Sequence, residues 1–146
     1  MVEATLREEL HRYNLNPLEF LSVGTCGADY FKWQGTILGK PNSPFQNGLF
    51  FFSIRFAVDH PNTNPIVKFD TDIFHPVIRK DRPVKLVWSP KDTVQMLLIQ
   101  LYTLFLNPNL DTIDSCEQVP DRAKLFRTNR SKFNEYAKEW TNKYAI

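Results

Sequence analysis

Three kinds of hydrophobic spacing follow one another along the chain. From Ala4 to Tyr13, Leu6, Leu10 and Tyr13 recur at intervals of four and three, while Arg7, Glu8, Glu9 and Arg12 lie largely around the other side. That is one apolar face of a short amphipathic helix, which Asn14, Asn16 and Pro17 are expected to end. Between Phe20 and Phe74 the apolar residues are aromatic or β-branched and come in short groups: Phe31, Trp33 and Ile37; Leu49 to Phe52, Ile54 and Phe56; Ile66, Val67 and Phe69. Turn-rich stretches separate them, at Gly24 to Asp29, Gly39 to Gly48 and Asp59 to Pro65. This pattern predicts an antiparallel meander of about four strands. The run Leu49 to Phe52 is continuously apolar, which predicts a strand covered on both faces or packed on a helix.

After Trp88-Ser89-Pro90 the period becomes helical, with Val94, Leu97, Leu98, Leu101, Leu104 and Phe105 at helical spacing. The Ser-Pro pair suits the start of that helix and Asn107-Pro108-Asn109 its end. The polar, aperiodic stretch from Leu110 to Pro120 predicts a loop. Two shorter helices should follow, around Asp121 to Phe126 and Ser131 to Tyr144, with Phe133, Ala137, Trp140 and Tyr144 on one face of the last. Helix, then strands, then helices is an α+β order, and no repeat or linker divides residues 1–146 into more than one domain.

Composition narrows the function classes. The chain has 146 residues with 42% hydrophobic, enough to build one core. Lysine and arginine total 18 against 16 acids, and a net charge of +2 gives no reason to invoke nucleic acid or an anionic membrane. No apolar run is long enough to span a bilayer. Glu3, Glu8 and Glu9 argue against a secretory signal or an acid-poor transit peptide at the N-terminus, leaving import by an internal signal open. The two cysteines, Cys26 and Cys116, form no disulfide framework and no metal-ligand spacing, so no metal or other cofactor is implied.

Several motifs then occur in a recognisable order. Trp33-Gln34-Gly35-Thr36-Ile37-Leu38-Gly39, Ser43-Pro44-Phe45 and Gly48-Leu49-Phe50-Phe51 resemble the strand–turn–strand signature of ubiquitin-conjugating enzymes (the UBC fold). Asp59-His60-Pro61 with Pro65, and Ile73-Phe74-His75-Pro76, are similar to that family's Tyr-Pro…Pro-Pro segment and the start of its His-Pro-Asn motif. Trp88-Ser89-Pro90, Asn107-Pro108-Asn109 and the ending Glu139 to Ala145 are similar as well. The resemblance runs nearly end to end. It implies an N-terminal helix, a four-stranded antiparallel sheet, a central helix and two C-terminal helices. The activity it implies is to accept ubiquitin, or a ubiquitin-like protein, as a thioester and pass it to a lysine amine.

That chemistry needs a thiolate, which is both a good nucleophile and a good leaving group, and a donor for the tetrahedral oxyanion. In the family the donor is attributed to the asparagine of His-Pro-Asn, and here that position is Val77, whose side chain donates nothing. Counting on from His75 without a gap, Arg82-Pro83-Val84-Lys85-Leu86 stands where the family's Gly-x-Ile-Cys-Leu-like stretch belongs. Lys85 falls at the cysteine. The segment before Trp88 is then roughly five residues shorter than in the family, within ordinary loop variation. An amine can take an acyl group, but the product is an amide and does not leave. Lys85 is thus either a solvated lysine or a site of one permanent attachment. Cys116 is a conceivable relocated nucleophile, but Asp114 and Glu117 beside it should raise its thiol pKa. His75 is either a base or a structural histidine holding the His-Pro turn.

The surfaces that the resemblance assigns to partners are changed too. Ala4, Thr5 and Glu8 stand where basic residues of the first helix help dock the activating enzyme. Asn62 replaces the aromatic residue that RING-type ligases commonly grip, and Lys91 the small residue after Ser-Pro. Ser22 matches the outer sheet position where some members contact ubiquitin non-covalently. The expected core, Trp33, Phe50, Phe51, Ile54, Phe69, Trp88, Leu97, Leu101 and Trp140, is kept. The sequence therefore favours a pseudoenzyme, not an enzyme: a protein-interaction module or scaffold, as a subunit of a larger multiprotein complex. An inactive-variant cofactor of the ubiquitin pathway, binding ubiquitin or an active conjugating enzyme, is the alternative. The inactive variants of that kind tend to lack the C-terminal helices, which this chain keeps. A third reading is an active enzyme with a displaced thiol or amine. The pathway readings imply a cytoplasmic or nuclear location, and the subunit reading allows an organelle. Leu110 to Pro120, longer than its family counterpart, is a candidate contact loop, although Asp111, Asp114 and Glu117 suit plain solvation equally.

Overall fold

The computed structural model describes residues 2–107 and 120–146. The first helix, α1 (Val2–Leu15), buries Leu6 and Tyr13 as its period requires and runs two residues past Tyr13. Tyr13 also sets the exit from the helix. Its hydroxyl donates to the Leu21 carbonyl at 2.8 Å and accepts from the Leu18 N–H at 3.1 Å. The exposed pairs Glu3–Arg7 (3.7 Å) and Glu8–Arg12 (3.1 Å) at i, i+4 spacing add only tenths of a kcal/mol each.

Four strands follow, β1 (Leu21–Cys26), β2 (Asp29–Leu38), β3 (Leu49–Arg55) and β4 (Ile66–Phe69), paired antiparallel in the order β1-β2-β3-β4. The meander is as expected, with one boundary corrected. Gly24, Thr25 and Cys26 belong to β1, not to a turn, since Gly24 pairs with Gln34 and Thr25 with Trp33. Gly27, at φ +65°, supplies the left-handed residue that the hairpin needs, so Gly27 and Ala28 suffice for the reversal.

The run Leu49 to Phe52 alternates. Phe50, Phe52 and Ile54 are buried, whereas Leu49 is 39% and Phe51 49% exposed. A strand covered on both faces, and Phe51 as a core residue, are therefore corrected: the two-residue period of a strand turns every second side chain to solvent whatever its chemistry. The alternative, packing on a helix, holds for the inner face. The Phe50 ring lies 5.3 Å from that of Phe105 on α2 (Val94–Leu106). Phe51→Ser is accordingly expected to change stability by no more than about 0.5 kcal/mol in urea denaturation. A loss above about 2 kcal/mol would return Phe51 to the core.

All six residues of the helical period in α2 are buried. The helix starts later than the Ser-Pro pair predicts. Ser89 and Asp92 close a turn, with Ser89 N–H donating to Asp92 Oδ2 and Asp92 N–H to the Ser89 carbonyl, both at 2.8 Å. Thr93 is the N-cap, its Oγ1 accepting the Met96 N–H at 3.2 Å. Glu9 reaches the same helix end from α1. Its Oε1 accepts the Val94 N–H at 3.0 Å, and its Oε2 lies 3.0 Å from Nε2 of the buried His60, whose peptide to Pro61 is cis. An acidic group at a helix N-terminus is favourably placed.

Asn107 ends α2, donating its N–H to the Thr103 carbonyl at 2.8 Å. Pro108, Asn109, Cys116 and the predicted loop before Pro120 lie outside the described residues. The last two helices are α3 (Pro120–Thr128) and α4 (Arg130–Tyr144), the latter capped by Asn129. On α4 the buried face is Phe133, Ala137 and Thr141. Trp140 is half-buried and Tyr144 is 42% exposed, so the predicted face is shifted by about one position. Thr141 tolerates burial because its hydroxyl donates to the Ala137 carbonyl at 2.8 Å. One cluster of buried side chains extends from Leu6 to Ala145. No helix among the described residues is long and apolar enough to cross a membrane.

Candidate functional site

The segment after β4 is drawn into the core by its apolar residues: Ile73, Val77 and Ile78 are at most 1% exposed. His75 sits among them, fully buried, with its ring 5.8 Å from that of Phe45 and 6.0 Å from that of Phe105, both stacked. Its Nδ1 accepts two backbone N–H groups, from Val77 at 3.1 Å and Ile78 at 3.2 Å. The ring hydrogen is therefore on Nε2, which donates to the Phe105 carbonyl at 3.1 Å. That carbonyl lies in the last turn of α2, where no intrahelical partner exists. Burial pushes the imidazole pKa down to about 4, against the hydrogen bonds to the Phe105 and Leu104 carbonyls, which pull it up. A neutral imidazole with both nitrogens engaged and no exposure has no free position from which to take a substrate proton. Its geometry is that of a brace for the His-Pro turn.

Val77 contributes only its backbone N–H, to His75, and its side chain is core. The chain then turns through Asp81, which holds a left-handed φ of +62°, and runs along the outer edge of β4. Asp81 N–H donates to the Phe69 carbonyl at 2.9 Å, Lys68 bridges to Pro83, and Val84 N–H donates to the Val67 carbonyl at 2.8 Å. Lys85 follows, exposed, and shares the stretch with Arg79, Lys80 and Arg82 against the acid Asp81. Lys80 is 3.7 Å from Asp72.

Beyond Lys85, Gln100 of α2 clamps Val87 by both backbone groups. Val87 N–H donates to Gln100 Oε1 at 2.6 Å, and Gln100 Nε2 donates to the Val87 carbonyl at 3.0 Å. Trp88 Nε1–H donates to the Pro61 carbonyl at 2.8 Å, tying this strip to the turn between β3 and β4. Arg122 of α3 holds the opposite side. It donates to the Ile73 carbonyl at 3.0 Å and lies 4.9 Å from the Phe74 ring centroid and 4.8 Å from that of Trp140. Burial, then Arg79, lower its guanidinium pKa while Asp72 raises it.

Sequence reasoning singled out His75, Val77 and Lys85, and the structure brings them onto one segment. It did not find Glu9, His60, Gln100 or Arg122, whose partners are 13 to 85 residues away in the chain. Cys26 is exposed at the end of β1, on the sheet edge opposite the one that Pro83 joins. Three strand spacings alone separate those edges by about 14 Å. Among the described residues, no group of three or more His, Cys, Asp or Glu side chains could hold a metal ion.

The positions that the sequence resemblance assigns to docking are spread over other faces. Ala4, Thr5 and Glu8 are exposed on α1, and Asn62 and Lys91 are exposed on turns. Ser22 is exposed on the outer face of the sheet, its Oγ 2.7 Å from Thr36 Oγ1. Thr36 pairs in turn with Phe51, and Leu38 with Leu49, so hydroxyls and exposed apolar side chains adjoin there. In a comparison with protein families, the model of the ubiquitin-conjugating enzyme family matches residues 5–141.

Proposed function

Because the chain belongs to the ubiquitin-conjugating enzyme family, whose domains bind other proteins, we propose that it serves as a non-catalytic interaction module or structural subunit of a larger complex. One observation supports this reading: the segment that the sequence resemblance places at the active site is held by core packing and backbone hydrogen bonds. The position matched to the oxyanion donor is Val77, buried in the core, and the position matched to the thiol is Lys85. Acyl transfer through Lys85 would break the incoming thioester and leave an amide on Nζ. No second transfer follows, because an amide nitrogen is a poor leaving group. Cys26, at the far edge of the sheet, is badly placed to substitute.

Mixing the protein with activating enzyme, ATP and ubiquitin is expected to give no adduct that a reducing agent cleaves. A thiol-sensitive band, abolished by Cys26→Ser or Cys116→Ser, would overturn the non-catalytic reading.

The cofactor reading within the ubiquitin pathway draws on a different observation, the outward-facing Ser22–Thr36–Phe51 row with Leu38 and Leu49 beside it. Titrating the labelled chain with ubiquitin separates the two. Amide shifts confined to that row favour the cofactor role, and no shift at millimolar ubiquitin favours the structural subunit.

A further inference from the structure

The outer face of the sheet changes character along its strands. Toward Leu38 and Leu49 it is apolar. Toward the other end, Lys32 stands directly opposite Arg55, and Ser53 directly opposite Lys68. Trp33, Ile54 and Val67 point inward, so strand alternation turns Lys32, Arg55 and Lys68 outward together. With Ser53 and Ile66 they line a cavity of about 150 Å³.

Among the described residues none of the three cationic side chains forms an ion pair or a side-chain hydrogen bond. Asp70 is the carboxyl whose titration Lys32 influences. Its pKa is raised, by burial first and then by Asp81, against the pull of Lys32 and Lys80. Like charges directly opposite on neighbouring strands destabilise a sheet. Asp70, exposed two residues beyond Lys68, attracts Lys32 without forming an ion pair with any of the three, so the cross-strand repulsion lacks a compensating contact, and a local rule broken in that way points to function.

We propose that this groove docks an acidic segment of a partner protein, seating its carboxylates among Lys32, Arg55 and Lys68, with the Ser53 hydroxyl as a further donor. Charge complementarity sets the class of occupant, since a carboxylate placed between Lys32 and Arg55 turns their repulsion into two attractions. The size of the site sets the rest. Three cations on a chain of net charge +2 are too few to hold a nucleic-acid backbone or an anionic bilayer, which need extended basic surfaces. The groove is independent of the missing thiol: a catalytically competent chain could carry it, and an inactive one could lack it. The thioester experiment and the following one therefore fail separately.

The probe is an octaglutamate peptide titrated into the isotope-labelled full chain at low ionic strength. Amide shifts are expected at Lys32, Ser53, Arg55 and Lys68, with affinity falling as salt is added. Combining Lys32→Glu, Arg55→Glu and Lys68→Glu should weaken binding at least tenfold. The single change Arg55→Thr should weaken it less while raising the melting temperature, because it relieves the cross-strand repulsion, so lost binding is not lost folding. Shifts centred on Arg79 to Lys85, undiminished affinity in the triple variant, or no shift at millimolar peptide would each overturn the assignment. So would tighter binding of duplex DNA or phosphatidylserine vesicles than of octaglutamate at the same residues.

Discussion

Replacing His75 with alanine is expected to destabilise the fold by about 3–6 kcal/mol, a large share of what a domain of this size possesses. The cost has identifiable parts. The backbone N–H groups of Val77 and Ile78 lose their acceptor, the Phe105 carbonyl loses its donor, and a void opens beside the Phe45 and Phe105 rings. Urea denaturation at pH 7 measures it, and a loss under about 1 kcal/mol would mean that His75 is no brace.

The same residue sets a pH dependence. Its folded pKa is about 4, against about 6.5 in the unfolded chain. Above pH 6.5 both states are neutral at this site, and it contributes no slope. Between pH 6.5 and 4 the unfolded chain takes up a proton that the folded protein resists, so stability falls as pH falls. The drop approaches about 3 kcal/mol once pH passes below the folded value. Asp70, whose pKa is raised, acts in the opposite direction over its own range. The decisive comparison is therefore between variants: His75→Asn should lose the His75 part of the slope and keep the remainder. Equal slopes in wild type and variant would remove His75 as the cause.

Phe105→Ala is the second large effect, about 3–5 kcal/mol. Phe105 is fully buried, and its ring contacts those of Phe45 at 5.2 Å, Phe50 at 5.3 Å, His75 at 6.0 Å and Phe69 at 6.2 Å. It thus joins α2 to the inner sheet face and to the His75 turn at once. Phe105→Leu refills most of the volume and should cost less than half as much. Alanine and leucine variants of equal stability would contradict this placement.

The sequence carried the periodic elements well because burial enforces their periods. Leu6 and Tyr13, the six apolar positions of α2, and Phe133 with Ala137 all face the core as their spacing requires. Its failures share one cause, that local chemistry does not report pairing. Phe51 is as apolar as Phe50, yet strand alternation exposes it. Gly24 to Cys26 has turn-like residues, yet pairing with β2 makes it strand. Ser89-Pro90 has the composition of a helix start, yet the hydrogen bonds there close a turn and leave the cap to Thr93. The candidate site was legible by residue identity at His75, Val77 and Lys85. Its supports were not, because Gln100 and Arg122 act on backbone groups, which look alike in any sequence. Lys32, Arg55 and Lys68 become neighbours only once the register of three strands is known.

Glu9 has a consequence for the order in which the protein is made. Its two partners, His60 and Val94, lie 51 and 85 residues further along the chain. Synthesis runs from N- to C-terminus, so α1 leaves the ribosome before the partners of Glu9 and gains its full set of contacts only after the sheet has emerged. Until Val94 emerges, Glu9 has no helix end to cap, and the apolar stripe with Leu6 and Tyr13 awaits the sheet and α2. The N-terminal end of the domain is thus tied down by residues made well after it, and α1 waits for the start of α2 before Glu9 can cap it.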